Sequence, residues 1–192
     1  GEVGTFTRGN GLQKKDFTET GIGCIHYGQI YTHYQTYTDK TKSFVSPVLA
    51  SKLKKARPND LIIATTSENV EDVGKCVVWL GKEKICIGGD ACVFNHNQNG
   101  KYIAYILQTD NFLNWKKKHT TGTKVIRVNP KDLENFTIPV PPLPEQDRIV
   151  GILDKFETLV NDLEYGIPAE IKLRQQQYEY YRNKLLNFKQ AA

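Results

Sequence analysis

The sequence lacks the features that mark several large classes of protein. No apolar run among its 192 residues approaches the roughly 18 residues that cross a bilayer. No charged, then apolar, then small-residue signal pattern opens the chain. The four cysteines show neither paired nor zinc-type spacing, which favours buried thiols in a reducing compartment. We therefore expect no membrane contact and a cytoplasmic location.

Catalytic motifs are absent as well. There is no GxxxxGK[ST] phosphate loop and no GxGxxG fingerprint, so RGNG and IGGD are interpreted as turns. The four histidines show no HExxH or HxH spacing. The acidic residues around Asp60, Glu68 and Asp72 lack the ExK signature of nucleases, and VPPLP lacks the polar and aromatic neighbours of an amino-methyltransferase motif. The sequence predicts no catalytic residue and no metal site; the alternative is a metal site built from Cys24, Cys86, Cys92 and His96.

Positive charge is unevenly distributed along the chain. The net charge is +5, with 26 Lys and Arg against 21 Asp and Glu. Residues 1–143 carry 19 Lys and Arg against 13 acidic residues, whereas residues 144–192 carry 7 against 8. A positive field confined to the first part indicates an anionic partner such as nucleic acid, although solvated surfaces also reach this balance.

The sequence predicts an α+β fold in two parts, a strand-rich globular domain over residues 1–143 and a helical region over 144–192. Aromatic and β-branched residues in CIHYGQIYTHYQTY predict strand with a turn at Gly28. Buried strands are predicted at 61–64 and 75–80, joined by a polar loop at 65–74. The single helix predicted in this part covers NGKYIAYILQTDNFLNWKKKH, whose apolar residues follow helical spacing.

The second part has the pattern of helices. Pro144 suits the first helical position, with carboxylates in the first turn. Apolar residues then step by three and four, which is the seam spacing of an antiparallel coiled-coil-forming region. The seam residues are Ile149, Ile152, Phe156, Leu159, Leu163, Ile171, Tyr178, Tyr181 and Leu185. Gly166 and Pro168 predict a kink or break at 165–168, and the apolar stripe requires cover from another subunit or from the chain's own domain.

Two loops combine side chains that suit nucleic acid. Small polar side chains in TTSENVEDVGK suit base edges, and the candidates are Thr66, Ser67 and Asn69. Cations and hydroxyls in NWKKKHTTGTKVIR suit phosphates, and the candidates are Lys116, Lys117, Lys118, Thr121, Thr123 and Lys124. The predicted DNA-binding set also includes Arg8, Lys14 and Lys15. An ordinary polar helix end is the alternative interpretation of the lysine run.

The stretch IPVPPLPEQDRIVGILDKF resembles the junction in specificity (S) subunits of type I restriction–modification systems. There, a target recognition domain passes through a Pro-Pro-Leu and Glu-Gln stretch into a spacer helix. NDLEYGIPAEIKLRQQQYEYYRNKLLNF is similar to the rest of that helical region. The recognition-domain scaffold is resembled more loosely by GNGLQKKDFTETGIGCIHYGQI, PNDLIIATTSENVEDVGKCVVWLG and TGTKVIRVNPKDLENFTIPVPPL. The resemblance covers nearly the whole chain.

The resemblance implies a non-catalytic subunit that reads one half of a split double-stranded DNA site through the major groove. Antiparallel spacer helices would fix the distance between half-sites. Two modification (methyltransferase) subunits would dock on the assembly, bring S-adenosylmethionine and methylate adenine after flipping it out. No cofactor is expected in this chain itself. A translocating restriction subunit is a further implied partner, and the cell would be bacterial or archaeal.

This chain departs from the usual family pattern of two recognition domains and two spacer regions, since it has one of each. We expect either a natural half subunit or half of a longer one. We also expect a C2 homodimer, because one protomer would supply only half of a helix pair. Two functions from other classes stay open, a nuclease or methyltransferase that acts alone and a coiled-coil adaptor that does not bind DNA.

Overall fold

The computed structural model describes residues 1–163 and 168–187, apart from the side chains of residues 161–163 and 168–171. The strands are β1 (Gly4–Arg8), β2 (Ile22–Ile25), β3 (Tyr37–Thr38), β4 (Ser43–Val45), β5 (Lys55–Ala56), β6 (Leu61–Ala64), β7 (Thr66–Ser67), β8 (Cys76–Trp79), β9 (Ile85–Ile87), β10 (Ala91–His96), β11 (Thr120–Thr121) and β12 (Ile126–Val128). The helices are α1 (Tyr27–Thr32), α2 (Pro47–Ala50), α3 (Gly100–Ile106), α4 (Asp110–His119), α5 (Pro130–Leu133), α6 (Leu143–Leu163) and α7 (Pro168–Leu186), and a 3-10 turn covers Lys14–Asp16. This confirms the predicted α+β class. Within the described part, no helix combines the length and apolarity that a bilayer crossing needs.

A five-stranded sheet forms the centre of the fold, in the order β1-β10-β6-β8-β3. Neighbouring strands are antiparallel except β3 and β8, which are parallel. β6 is buried on both faces. Leu61 and Ile63 belong to a first apolar core shared with α3, α4 and α6, whereas Ile62 and Ala64 belong to a second core shared with α1. Because side chains alternate along a strand, the continuous apolar run LIIA supplies both cores.

Two smaller sheets flank this centre. One has four strands in the order β4-β2-β9-β5, and the other has three in the order β11-β12-β7. The strands predicted at 61–64 and 75–80 are present as β6 and β8. The polar loop predicted at 65–74 is wrong at its start, because Thr66 and Ser67 form the buried strand β7. β7 pairs with β12, which is remote in sequence, so no local pattern indicates it.

The segment predicted as strand around Gly28 is a helix instead, α1. His26 caps the helix, since its Nδ1 accepts a hydrogen bond from Gly28 N at 3.3 Å and Gln29 Oε1 accepts one from His26 N at 3.0 Å. Ile30 is buried in the second core. Capping and packing therefore override the strand propensity of the aromatic residues, and Gly28 lies inside a helix rather than in a turn.

The single helix predicted over residues 99–119 is divided into α3 and α4. Thr109 separates them, because its hydroxyl donates to Ile106 O at 2.8 Å and accepts from Phe112 N at 3.4 Å. Threonine is a favoured residue at a helix N-terminus. The apolar spacing continues across the break, so periodicity alone predicted one helix where there are two.

One buried amide connects the proline run to the start of α6. Gln146 is 0% exposed. Its Nε2 donates to Pro141 O at 2.8 Å and to Gln98 Oε1 at 2.7 Å, and its Oε1 accepts from Asn99 N at 3.0 Å. A single side chain thus joins the extended prolines, the first turn of α6 and the loop between β10 and α3.

Further along α6, carboxylates bond polar side chains of the globular domain. Lys101 Nζ lies 2.7 Å from Asp154 Oδ2, and Thr36 Oγ1 donates to Glu157 Oε1 at 2.6 Å. Tyr105 OH lies 2.7 Å from both Asp154 Oδ1 and Glu157 Oε2. Burial, followed by the Glu157 charge, raises the pKa of Tyr105, so its hydroxyl keeps its proton. The helix is therefore held to the domain over about three turns.

α7 packs antiparallel on α6 within the same chain. Phe156 stacks on Tyr181 with ring centroids 5.5 Å apart, and Tyr178 is buried in the first core. At the far end of α7, Asn183 Nδ2 donates to Asp110 Oδ2 at 2.8 Å. The expectation that one chain supplies only half of a helix pair is wrong, because the chain folds back and completes the pair itself.

The predicted seam residues divide between the core and the surface. Those that are buried or half-buried are Ile149, Ile152, Phe156, Tyr178 and Leu185. Leu159 and Tyr181 are 51% and 37% exposed. The side chains of Leu163 and Ile171 lie outside the described residues. So does the break predicted at 165–168, apart from Pro168, which begins α7.

The predicted division at residue 143 does not coincide with a gap in the packing. Ile149, Val150 and Leu153 of α6 are buried in the same first core as the five-stranded sheet. α6 itself begins at Leu143, one residue before the predicted start. The division of the chain into two parts there stays a prediction.

Replacing Gln146 by leucine should destabilise the protein. Leucine is similar in size but removes the donors and the acceptor, which leaves Asn99 N and two oxygens without a buried partner, at about 1–3 kcal/mol per unsatisfied group. Urea unfolding followed by circular dichroism measures the change. Arg148→Leu, on the exposed side of the same turn, is the control and should leave the midpoint unchanged. Equal stability of Gln146→Leu and wild type would contradict the structural role of the amide.

Candidate nucleic-acid interface

Two glycine-rich turns lie side by side at one end of the five-stranded sheet. Gly9 N donates to Ala91 O at 2.9 Å, and Arg8 Nε donates to Gly89 O at 3.1 Å. A Cβ at Gly9 would collide with the carbonyl group of Gly88, so only glycine allows this approach. The interpretation of RGNG and IGGD as turns is confirmed. Their contact places the exposed Arg8 beside the turn between β9 and β10.

Asn10 brings a second basic loop to the same place. Its Nδ2 donates to Lys52 O at 2.9 Å, and its Oδ1 accepts from Lys54 N at 2.7 Å. Lys14 and Lys15 lie on the 3-10 turn that follows, and all four lysine side chains are exposed. This end of the domain therefore gathers cations from several separate segments of the chain.

Asp90 links the glycine turns to the three-stranded sheet. Its carbonyl accepts from Thr65 N at 2.9 Å, and its Oδ1 accepts from Thr66 Oγ1 at 3.1 Å. Thr66 and Ser67 are only 6% and 2% exposed, and Thr66 pairs across β7 with Arg127 of β12. The predicted base contacts of Thr66 and Ser67 stay a prediction. In the structure both side chains are buried, and β7 is the edge-to-edge neighbour of β12 in the three-stranded sheet.

The β11–β12 hairpin presents a row of exposed side chains. Gly122 has a φ of +100°, which residues with a side chain rarely adopt, and it turns the chain between the strands. Along β12, Ile126 and Val128 are buried whereas Arg127 is exposed. The exposed side chains of the hairpin are Thr121, Thr123, Lys124, Val125 and Arg127. A two-stranded ribbon fits the major groove of B-DNA, which is about 12 Å wide.

The lysine run at the end of α4 divides into one buried and two exposed cations. Lys116 is 2% exposed, and its Nζ donates to Glu71 O at 3.0 Å. Burial, and to a smaller degree the charge of Lys75, lowers the pKa of Lys116 to about 8. Lys117 and Lys118 are exposed and lead directly into β11. The structure therefore places two of the three lysines beside the hairpin and the third in the interior.

Asn69 is bonded within its own loop. Its Nδ2 donates to Asp72 Oδ2 at 2.9 Å, and its Oδ1 accepts from Asp72 N at 2.7 Å. Asp72 in turn lies 2.7 Å from Lys75 Nζ. These bonds fix the loop after β7. The base contact predicted for Asn69 stays a prediction.

The glycine turns and the hairpin are connected through Asp90. Asp90 follows Gly89, whose carbonyl accepts from Arg8 Nε at 3.1 Å. Asp90 also bonds β7, which carries β12. We call the resulting surface the cationic strip. Its members are Arg8, Lys14, Lys15, Lys117, Lys118, Thr121, Thr123, Lys124 and Arg127.

Sequence reasoning missed Arg127, Lys52, Lys54 and Asp90. Arg127 had a usable signal, because the alternation in VIRV sets it opposite two apolar neighbours. Lys52 and Lys54 are brought to the strip by contacts of Asn10, and Asp90 by its bonds to β7. Contacts between segments so far apart leave no local signal in the sequence.

The cysteines are free and buried, as their spacing predicts. Burial raises the pKa of Cys24, Cys76 and Cys92 to about 12, which keeps them as thiols at neutral pH. Across residues 1–163 and 168–187, no three His, Cys, Asp or Glu side chains come together as metal ligands. The chemistry that the cationic strip does present is charge and hydrogen-bond donors.

Lys116→Met should stabilise the protein at neutral pH and lose this advantage as the pH rises toward 10.5. The pKa of Lys116 in the folded chain is about 8, below its ordinary 10.5. Between those values the unfolded chain binds the extra proton, so wild-type stability rises with pH relative to the variant. Urea midpoints across this range test the expectation. Lys117→Met should show no such trend. If the difference in urea midpoint between Lys116→Met and wild type stays constant across this pH range, the lowered pKa of Lys116 is wrong.

Known proteins resemble this chain in sequence. The family described as type I restriction modification DNA specificity domain matches residues 1–173. The specificity subunit of the type I restriction enzyme EcoR124I/EcoR124II of Escherichia coli is 33% identical over 192 residues, which are 98% of this chain and 47% of that subunit. The chain thus spans about half the length of this relative.

Solved structures resemble it in fold. The HsdS subunit from Thermoanaerobacter tengcongensis aligns with a TM-score of 0.58 and 20% identity over 96% of this chain and 43% of that one. The S subunit from M. genitalium aligns with a TM-score of 0.55 and 17% identity over 84% and 38%. At such identities the likeness shows the fold. Together with the family match, these comparisons show that the chain belongs to the family of type I restriction–modification DNA specificity domains.

Proposed function

We propose that this chain reads one half of a split double-stranded DNA site as part of a type I specificity subunit and has no catalytic activity of its own. The cationic strip is the observation that carries the proposal. It combines exposed charge from several segments with a hairpin of the right width for the major groove. The family match over residues 1–173 supports it.

Within the strip, different side chains suit different parts of DNA. Lysines and threonine hydroxyls near the hairpin suit phosphate oxygens, which fix register but carry no sequence information. Arg127 lies on the exposed face of β12, where a planar guanidinium can bond two acceptors on a guanine edge. We assign Arg127 to base reading and Lys124 to phosphate binding.

The helices would supply the geometry of the complete assembly. α6 is held rigidly to the recognition domain, so the direction of the helix pair follows the direction of the strip. A C2 homodimer would bring two strips onto one palindromic split site. Apolar side chains left exposed on α6 and α7 support such contacts; they are Leu159, Leu173, Tyr180 and Tyr181.

The assembly would act with further subunits in the bacterial or archaeal cytoplasm. Modification subunits would carry S-adenosylmethionine and methylate a flipped adenine, and a restriction subunit would translocate DNA. The chain would contribute the choice of site and the docking surface. The chain itself would take no part in the methyl transfer, which the modification subunits would carry out.

Lys124→Ala and Arg127→Ala should weaken DNA binding in distinguishable ways. Lys124→Ala should reduce affinity about equally for all sequences and lower the slope of log affinity against log salt by about one. Arg127→Ala should relax sequence choice at one base position, with a loss of about 1–3 kcal/mol for the cognate site. Fluorescence anisotropy with cognate and scrambled duplexes, in complex with a modification subunit, measures both.

Lys82→Ala is the matched control, because Lys82 is exposed in the turn between β8 and β9, at the opposite end of the strands from the glycine turns. It should leave the affinity and the salt slope unchanged. If Lys124→Ala and Arg127→Ala behave like Lys82→Ala, the hairpin does not contact DNA. If wild type binds no duplex in the complex, the proposed function itself is wrong.

Replacing Pro141 and Pro142 by glycine should relax the spacing between half-sites. The glycines keep the Pro141 carbonyl that accepts from Gln146 but loosen the extended segment before α6. Long-read mapping of methylated motifs after co-expression with the modification subunit should show unchanged half-sites with additional spacings. Pro47→Gly, on the remote helix α2, should give the wild-type spacing. A single spacing in the double variant would show that the helix contacts alone set the distance.

A further inference from the structure

A cleft of about 690 Å³ lies between the globular domain and the α6–α7 pair. Its walls come from α1, α4, α6 and α7 and include Tyr34, Gln108, Lys116, Glu157, Gln175 and Arg182. None of the residues of the cationic strip lines it. The cleft is therefore a separate feature, and the proposed reading of DNA does not use it.

Arg182 is the first unusual group in this cleft. It is only 9% exposed, its guanidinium lies 5.4 Å from the centre of the Tyr178 ring, and its Nε has no hydrogen-bond partner in the described residues. No described carboxylate oxygen lies within 4.0 Å of it. A buried guanidinium without a bonded anion is costly, because a charge removed from water needs a partner.

Lys116 is a second buried cation on the wall of the same cleft. Its Nζ donates to the backbone carbonyl of Glu71 at 3.0 Å, and within residues 1–163 and 168–187 no carboxylate oxygen lies within 4.0 Å of it. A Cβ at Gly74 would lie 2.9 Å from Lys116 Cδ, so glycine at that position leaves room for the lysine stem. Two buried cations, neither bonded to a carboxylate in the described chain, thus line one cavity.

The acidic group nearest to them is already engaged. Glu157 lines the cleft, but one of its oxygens accepts from Thr36 Oγ1 at 2.6 Å and the other lies 2.7 Å from Tyr105 OH. Its carboxylate therefore holds α6 to the domain instead of pairing with Arg182. Its negative charge lowers the positive potential in the cleft but does not bond either cation.

We propose that this cleft binds a small oxyanion, a phosphate or carboxylate group, held by the Arg182 guanidinium and the Lys116 ammonium. Amide groups on the wall, those of Gln108 and Gln175, supply neutral donors beside the two cations. An oxyanion would give the buried guanidinium charge-assisted hydrogen bonds. It would also link α7 to α4, and so stabilise the docking of the helix pair on the domain.

Nitrogen NMR of the full chain tests the proposal through the Arg182 Nε–Hε signal, identified by its disappearance in Arg182→Gln. Inorganic phosphate and succinate are titrated separately at constant ionic strength against chloride. We expect a saturable shift of this signal with at least one of the two anions. In Lys116→Met the affinity should fall about tenfold or more, as expected for the loss of one charge-assisted bond. Arg148→Gln, an exposed arginine on α6, should bind as wild type does.

The two arms distinguish the sources of the anion. A response to phosphate alone indicates a free phosphate-bearing ligand, and a response to succinate indicates an acidic side chain of a partner. No saturable shift with either anion, or equal affinity in Lys116→Met and wild type, overturns the proposal. The affinities are measured on wild type and Lys116→Met, and Arg182→Gln serves only to identify the Arg182 signal. If Arg182→Gln does not fold, Arg182→Lys identifies the signal instead.

Discussion

The buried amide of Gln146 bonds three partners in two other segments of the chain, Pro141 in the proline run and Gln98 and Asn99 in the loop between β10 and α3. Those bonds, together with the carboxylate contacts of Asp154 and Glu157, fix α6 in one position on the globular domain. Apolar packing alone would tolerate sliding, because it has no direction. Buried polar groups that bond each other do not tolerate sliding, since every shift of the helix leaves some of them without a hydrogen-bond partner. The orientation of the helix pair is therefore a property of hydrogen-bond geometry.

Strand β10, which lies beside the central strand β6, links the Gln146 contacts to the cationic strip. Its first residue, Ala91, bonds the glycine turns next to Arg8, and its last, His96, precedes the loop that meets Gln146. Six residues of strand extend about 20 Å. β10 lies between β1 and β6 in the five-stranded sheet. A strand paired on both edges bends little. The cationic strip and the Gln146 contacts therefore lie at the two ends of one stiff strand, β10.

Local patterns were sufficient for the parts that are locally determined. The junction, the two long helices, the strands at 61–64 and 75–80 and the glycine turns followed from spacing and turn chemistry. Most failures come from contacts between segments remote in sequence, whereas the missed division between α3 and α4 comes from the local cap of Thr109. β7 exists because β12 pairs with it, α1 packs onto the second core, and Thr66 lies opposite Arg127 on the neighbouring strand. The lysine run likewise looked uniform, and only the fold shows that Lys116 points inward.

The core shared by the globular domain and α6 limits where a foreign domain could be joined to this chain. Ile149, Val150 and Leu153 belong to the same core as Leu61 and Phe94, although they follow the proline run. A recombination event that joined a foreign domain at the prolines would pair its sheet with an unmatched helix surface. The transferable unit therefore extends through about the first four turns of α6, as far as Glu157, and a productive crossover lies beyond that residue. Within that unit, the exposed residues Thr123, Lys124 and Val125 between β11 and β12 can vary without disturbing the core, whereas Gly122 is fixed by its positive φ.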